Sequence, residues 1–185
     1  MATIHHLTTP IKTADLEKLR IGEKVMISGK IFTARDAAHK RIIKLLETDQ
    51  PLPFDFQGAV IYYAGPAPAR PGRPIGSVGP TSSYRMDQFT QPVLAAGVKV
   101  LIGKGERNQS VIDALVTHRA VYLVAVGGVA VVTAQAVKAA RVIAFEDLGP
   151  EAIYELEVSN FPAFVAIDIN GQSLFETGVA SYRRE

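Results

Sequence analysis

The sequence predicts an α/β domain whose sheet contains both parallel and antiparallel strands. Two observations carry this expectation. Short apolar runs recur along the chain, most of them separated by stretches with helical periodicity, and strands separated by helices require parallel crossovers. Near the end, two apolar runs are joined directly by Asn170-Gly171, the signature of an antiparallel hairpin.

Residues 1–10 are expected to form a flexible N-terminal segment, carrying His5 and His6. Thr13 to Glu17 reads as a short helix capped by Thr13, with Asp15 and Glu17 suited to the positive helix end. Glu23 to Ala34 alternates around Ser28-Gly29 and predicts one bent strand or two short ones. From Arg35 to Leu46, Ala38, Ile42, Leu45 and Leu46 fall at helical spacing with basic residues on the other side. Ala59 to Tyr63 is an apolar strand, and a Pro- and Gly-rich loop from Gly65 to Ser83 follows it. The rest predicts helices near 85–96, 109–118 and 129–139, and strands at 98–102, 120–126, 141–145, 163–168 and 173–175. The full chain, 1–185, reads as one domain, because its length lies within the usual single-domain range and no low-complexity tract divides it.

Composition removes several functions. Twenty basic against eighteen acidic side chains leave a formal charge of +2, too balanced for a nucleic-acid or anionic-membrane surface. There is no apolar run of membrane-spanning length and no leader pattern in MATIHHLTTP, so a cytoplasmic location is expected. The chain has no cysteine, which excludes disulfides, thiol catalysis and a self-supplied iron–sulfur or cysteine-based zinc site. Its four histidines, His5, His6, His39 and His118, show no metal-ligand spacing.

Chemistry is instead suggested by three strand-to-helix junctions, where exposed amides and the helix dipole favour anions. They are Ala34 to His39, Gly79 to Asp87 and Gly103-Lys104-Gly105. In the second, Thr81, Ser82 and Ser83 follow a Gly-Pro turn, and Arg85 lies about one turn beyond Ser82, so hydroxyl and guanidinium can address one ligand. The structural alternative is that the hydroxyls cap a helix and Arg85 pairs with Asp87 on the surface. Lys104 between two glycines is either a point charge for a ligand or a plain turn, and it fits no phosphate-loop motif. Arg35 can pair with Asp36, and His39 can be a helical histidine bonded to backbone.

In this order, TARDAAHKR (33–41), YYAGP (62–66), GPTSSYRMD (79–87), GKGER (103–107), VGGVA (126–130) and FPAFVAID (161–168) resemble the β subunit, or C-terminal domain, of iron–sulfur-dependent class I fumarases and the related L(+)-tartrate dehydratases. The resemblance implies a three-layer β/β/α swivelling domain with a largely parallel central sheet. It implies a hydro-lyase interconverting (S)-malate and fumarate plus water, with L(+)-tartrate as the alternative substrate. The [4Fe–4S] cluster would be ligated by cysteines of an α subunit, in a heterotetramer of two α and two β chains, and this chain would bind no cofactor itself. Arg35, Arg85 and Lys104 would bind the carboxylates of a C4 diacid, Thr81 would hydrogen-bond the substrate, and the proton-abstracting base would fall on Ser82. The family commonly has a second Thr at Ser82, and His39 competes as base or orienter. A reading of another class is a non-catalytic carboxylate-binding or regulatory domain, whose hallmark would be loss of Arg85, Lys104 or the hydroxyls; none is lost.

Overall fold

The computed structural model describes residues 3–125 and 130–177, with residues 130–132 described in backbone only. The described residues contain a seven-stranded sheet in the order β1-β2-β3-β4-β5-β7-β6. β1 (Ile4–Thr8), β2 (Lys24–Thr33), β3 (Val60–Tyr62), β4 (Val100–Gly103) and β5 (Val121–Val124) pair successively in parallel. β7 (Ile153–Ile167) runs antiparallel to β2, β5 and β6 (Val137–Ala144). Because β7 bonds to both β2 and β5, strands β2-β3-β4-β5-β7 close into a circuit.

Period-2 alternation sorts the apolar side chains onto two faces. Val60, Tyr62, Val100, Ile102, Val121 and Leu123 point to one buried cluster with Val25, Ile27 and Ile31 of β2 and Phe161, Ala163 and Val165 of β7. Ile61, Tyr63, Leu101 and Tyr122 point the other way. That second face is covered by α2 (Asp36–Glu47), α3 (Asp87–Ala95) and α4 (Gln109–Thr117), through Ala38, Ile42, Val93, Leu94, Val111 and Leu115. The result is the expected β/β/α layering, mostly parallel with antiparallel additions. Among the described residues, no helix is long and apolar enough to cross a membrane.

Several details differ from the sequence reading. Residues 4–8 are not a loose leader: β1 is hydrogen-bonded along β2, Leu7 is buried, and His5 Nε2 lies 2.8 Å from Glu23 Oε2. α1 (Thr13–Leu16) is preceded by Lys12 in extended backbone, and the Asp15 carboxylate, not Thr13, closes the turn by accepting from Lys12 N–H. The last predicted helix stops early, since α5 (Ala130–Ala136) gives way to β6 at Val137. The Asn170-Gly171 turn forms, with Gly171 at φ +82°, but Ser173 makes a single bridge to Ile167 and residues 174–177 turn helical, so no second hairpin strand follows. The antiparallel pairing comes from β7 instead. The VGGVA motif lies, except for Ala130, outside the described residues.

Candidate active site

β2, β3 and β4 run parallel in register, Thr33 beside Tyr62 and Tyr62 beside Ile102, so they end at one edge of the sheet. Ligand sites of α/β sheets form at such carboxyl ends. Arg35 sits two residues past β2, at the residue preceding α2, and Lys104 directly past β4. The segment from Pro80 to Ser83 is laid across the same edge: Ala64 bridges Pro80, Thr81 N–H donates to the Tyr63 carbonyl at 2.7 Å, and Ser83 N–H donates to the Lys104 carbonyl at 3.0 Å. Ser82 and Lys104 are parallel bridge partners, which puts the two residues side by side in backbone register.

This seam is fixed from below. Ser83 Oγ accepts from Lys104 N–H at 3.0 Å and lies 2.9 Å from Tyr122 Oη, whose hydrogen can reach the Gly105 carbonyl at 2.9 Å. Gly103 has to lack a side chain here, because a Cβ would lie 1.9 Å from Ser83 Oγ. Burial raises the Tyr122 phenol above its ordinary pKa, so it stays protonated and can keep that role.

Ser82 opens a 3₁₀ turn, Ser83–Met86, that runs into α3, yet its hydroxyl makes no capping bond. The turn carries Arg85 back toward α2, where its Nε donates to Asp36 Oδ1 at 3.0 Å. The expected surface pair of Arg85 with Asp87 is therefore replaced. Asp87 instead receives Arg107 Nε at 2.6 Å and Asn108 N–H at 3.0 Å. Arg107, with no exposed side-chain surface, also donates to Thr90 Oγ1 at 2.7 Å and lies over the rings of Tyr63 and Tyr122, 5.4 and 5.0 Å from their centroids. A buried cation with a carboxylate, a hydroxyl and two ring faces around it ties α3 to the segment after β4. Asp87 and Arg107 do not stand out as site supports in the sequence. The signal available was their place in the GPTSSYRMD and GKGER blocks.

Arg35 does not pair with Asp36. Its Nη2 lies 3.3 Å from Glu151 Oε1. His39 is separated from the other candidates by depth: it is 1% exposed, donates through Nδ1 to the Arg35 carbonyl at 2.9 Å, and packs on Tyr63 and Phe89. Burial lowers its pKa to about 4, so it is a neutral histidine of α2 with its ring turned inward and bonded to backbone. Thr81 and Ser82 are half-buried, Lys104 is exposed, and the Arg85 side chain is 44% exposed. The sheet edge thus gathers Arg35, Thr81, Ser82, Arg85 and Lys104 on a face open to solvent. A neighbouring cavity of about 360 Å³, lined by Pro68, Arg70, Arg73, Ile75 and Gln135 among others, contains none of them.

A metal fits this donor set poorly. The chain has no cysteine, and among the described residues no group of three His, Cys, Asp or Glu side chains is placed to hold an ion. Cations and hydroxyls suit a small polyanion instead.

The family model described as Fumarase C-terminus matches residues 2–178. The chain is 39% identical over 168 residues to the putative L(+)-tartrate dehydratase subunit beta of Methanocaldococcus jannaschii, covering 88% of this chain and 86% of that protein. It is 40% identical over 164 residues to fumarate hydratase 1, mitochondrial, of Leishmania major, covering 88% of this chain and 30% of that one. It is 37% identical over 174 residues to the anaerobic class I fumarate hydratase of Escherichia coli, covering 92% and 32%. The chain therefore spans about a third of the fumarate hydratases it matches and most of a tartrate dehydratase β subunit.

Proposed function

Since the chain belongs to the fumarase C-terminus family, we propose that it is the β component of a two-subunit hydro-lyase acting on a C4 2-hydroxy diacid, (S)-malate to fumarate and water. The observation that carries this reading is the convergence of Arg35, Arg85 and Lys104 with Thr81 and Ser82 on one open sheet edge. Two guanidiniums and an ammonium match the two carboxylates of a diacid, and the open face requires a cover before chemistry in a dry site is possible. That cover is the α subunit in this reading, in an α₂β₂ assembly. A [4Fe–4S] cluster held by cysteines of that partner would supply the Lewis acid for the departing hydroxyl.

The tasks of this chain follow from its own groups. Arg35, Arg85 and Lys104 hold the carboxylates, and Thr81 hydrogen-bonds the substrate. Ser82 Oγ takes the C3 proton. A hydroxyl is a weak base near neutral pH, so it needs the adjacent Lys104 charge to favour its anion. Removing a proton beside a carboxylate builds charge on that carboxylate, and fixed cations there contribute several kcal/mol. His39, buried and neutral, fits a structural role better than a proton-transfer role.

The alternative substrate is L(+)-tartrate, and the printed names of two matched relatives favour it: the putative L(+)-tartrate dehydratase subunit beta of Methanocaldococcus jannaschii and the L(+)-tartrate dehydratase subunit beta of Escherichia coli. The same cations grip either diacid. Assaying the chain, co-produced anaerobically with its partner, on malate and tartrate separates the two: fumarase predicts a kcat/KM for malate at least tenfold that for tartrate. The reverse ratio transfers the assignment to tartrate dehydratase.

A further inference from the structure

Glu151 ends the 3₁₀ segment Glu146–Glu151 that leads into β7, and its two carboxylate oxygens make two different contacts. Oε2 accepts from Ala37 N–H at 3.0 Å, one of the first-turn donors of α2 that have no partner within the helix. Oε1 faces Arg35 Nη2 at 3.3 Å. Arg35 is also confined by Gly65, where a Cβ would lie 3.1 Å from Nη1 and 2.7 Å from the Pro150 carbonyl. The chain can bend to deliver Glu151 there because Gly149 takes φ +56°, ψ −121°. A flexible arginine is thus hemmed in by a glycine and held by a carboxylate that also caps the adjoining helix.

We propose that Glu151 is a positioning residue, which holds the Arg35 guanidinium in the orientation that receives a substrate carboxylate. One oxygen engages one terminal nitrogen, which leaves other guanidinium donors for a ligand. An arginine already ordered in the free protein loses less rotamer freedom on binding. The effect should therefore fall on substrate affinity rather than on proton transfer.

The inference rests on reading Arg35 as a carboxylate ligand, and its test is built to separate the two. In the co-produced enzyme, Glu151→Gln keeps an acceptor for Ala37 N–H but removes the charge facing Arg35. It should raise KM for the hydroxy diacid about tenfold, the scale of one charge-assisted hydrogen bond, with kcat within about threefold. In an Arg35→Ala background it should change KM no further. A fall in KM would show a latch that competes with substrate, and equal effects in both backgrounds would show a helix cap only; either overturns the proposal. In the isolated chain with ¹⁵N-arginine, the buried Arg35 Nε–H should exchange at least tenfold faster in Glu151→Gln. Unchanged exchange overturns it. Should the wild-type pair turn over neither malate nor tartrate, the functional reading fails, while the exchange rate still decides whether Glu151 orders Arg35.

Discussion

Acidification should destabilise this protein through His39. The ring is fully buried, packed against Tyr63 and Phe89, with its pKa lowered from 6.5 to about 4 by desolvation. Between those values the unfolded chain binds a proton that the folded chain refuses, so stability is complete above pH 6.5 and falls as pH drops toward 4. From pH 8 to pH 5 the two pKa values correspond to about 2 kcal/mol, or about 4–8 °C in Tm for a chain of this size. Glu23 and Glu155, whose pKa values are lowered by the Arg20 backbone N–H and by Arg141, lose their contributions as pH falls below the ordinary carboxylate range, outside this window. His39→Phe is the informative variant. It keeps an aromatic ring among Tyr63 and Phe89, and the Arg35 carbonyl retains the His39 backbone N–H as its helical donor at 2.9 Å. Urea titrations followed by circular dichroism at pH 8, 7, 6 and 5 should show a stability loss in the wild type that is smaller by about 2 kcal/mol in His39→Phe. Parallel pH profiles for the two proteins would refute the assignment of a buried neutral histidine.

Other outcomes follow from the same contacts. Asp87→Asn leaves the Arg107 charge buried without its counterion and should cost about 3–5 kcal/mol by urea denaturation, despite the two tyrosine faces. Gly103→Ala drives a Cβ into Ser83 Oγ and should cost about 1–3 kcal/mol, and it should reduce turnover because Ser82 and Lys104 shift together. Arg85→Ala should lower kcat/KM about 10³-fold in the assembled enzyme while the circular dichroism melt stays near wild type, since its exposed pairing with Asp36 contributes little to folding. Ser82→Ala should lower kcat far more than it raises KM, and Ser82→Thr should be tolerated. If Thr81→Ala abolishes turnover and Ser82→Ala does not, the base is Thr81.

The parallel half of the fold was readable because it is local. In β3, β4 and β5 each residue alternates between two buried faces, and the helices between them carry a clear apolar stripe. β7 was readable only at its end. Its inward residues are Leu156 and Val158, then Phe161, Ala163 and Val165, so the alternation slips by one residue. The slip is a bulge: Asn160 has φ +53°, its N–H donates to Ser28 Oγ, and the register against β2 shifts between Ile27 and Gly29. A broken period looks like a loop in sequence, and only the partner strand makes it continuous. β1 is hard to read for a related reason, because five residues with two histidines gain their order from β2.

At the site, the junction positions of Arg35, Ser82, Arg85 and Lys104 were legible, since strand ends and helix starts can be read from periodicity. The ion pairs were not. Sequence nearness suggested Arg85 with Asp87 and Arg35 with Asp36, whereas the 3₁₀ turn sends Arg85 to Asp36 and leaves Asp87 to Arg107, and Arg35 meets Glu151 from 116 positions along the chain. Such pairings depend on which way a turn points each side chain.

In the proposed function this chain carries half of a catalytic site. Dehydration of malate and tartrate should be measured anaerobically with the chain alone, with the cluster-bearing partner alone and with both together after cluster reconstitution. Turnover is expected only for the pair, and it should be lost on Arg85→Ala in this chain. Full activity from the partner without this chain, or from this chain without the partner, would contradict it.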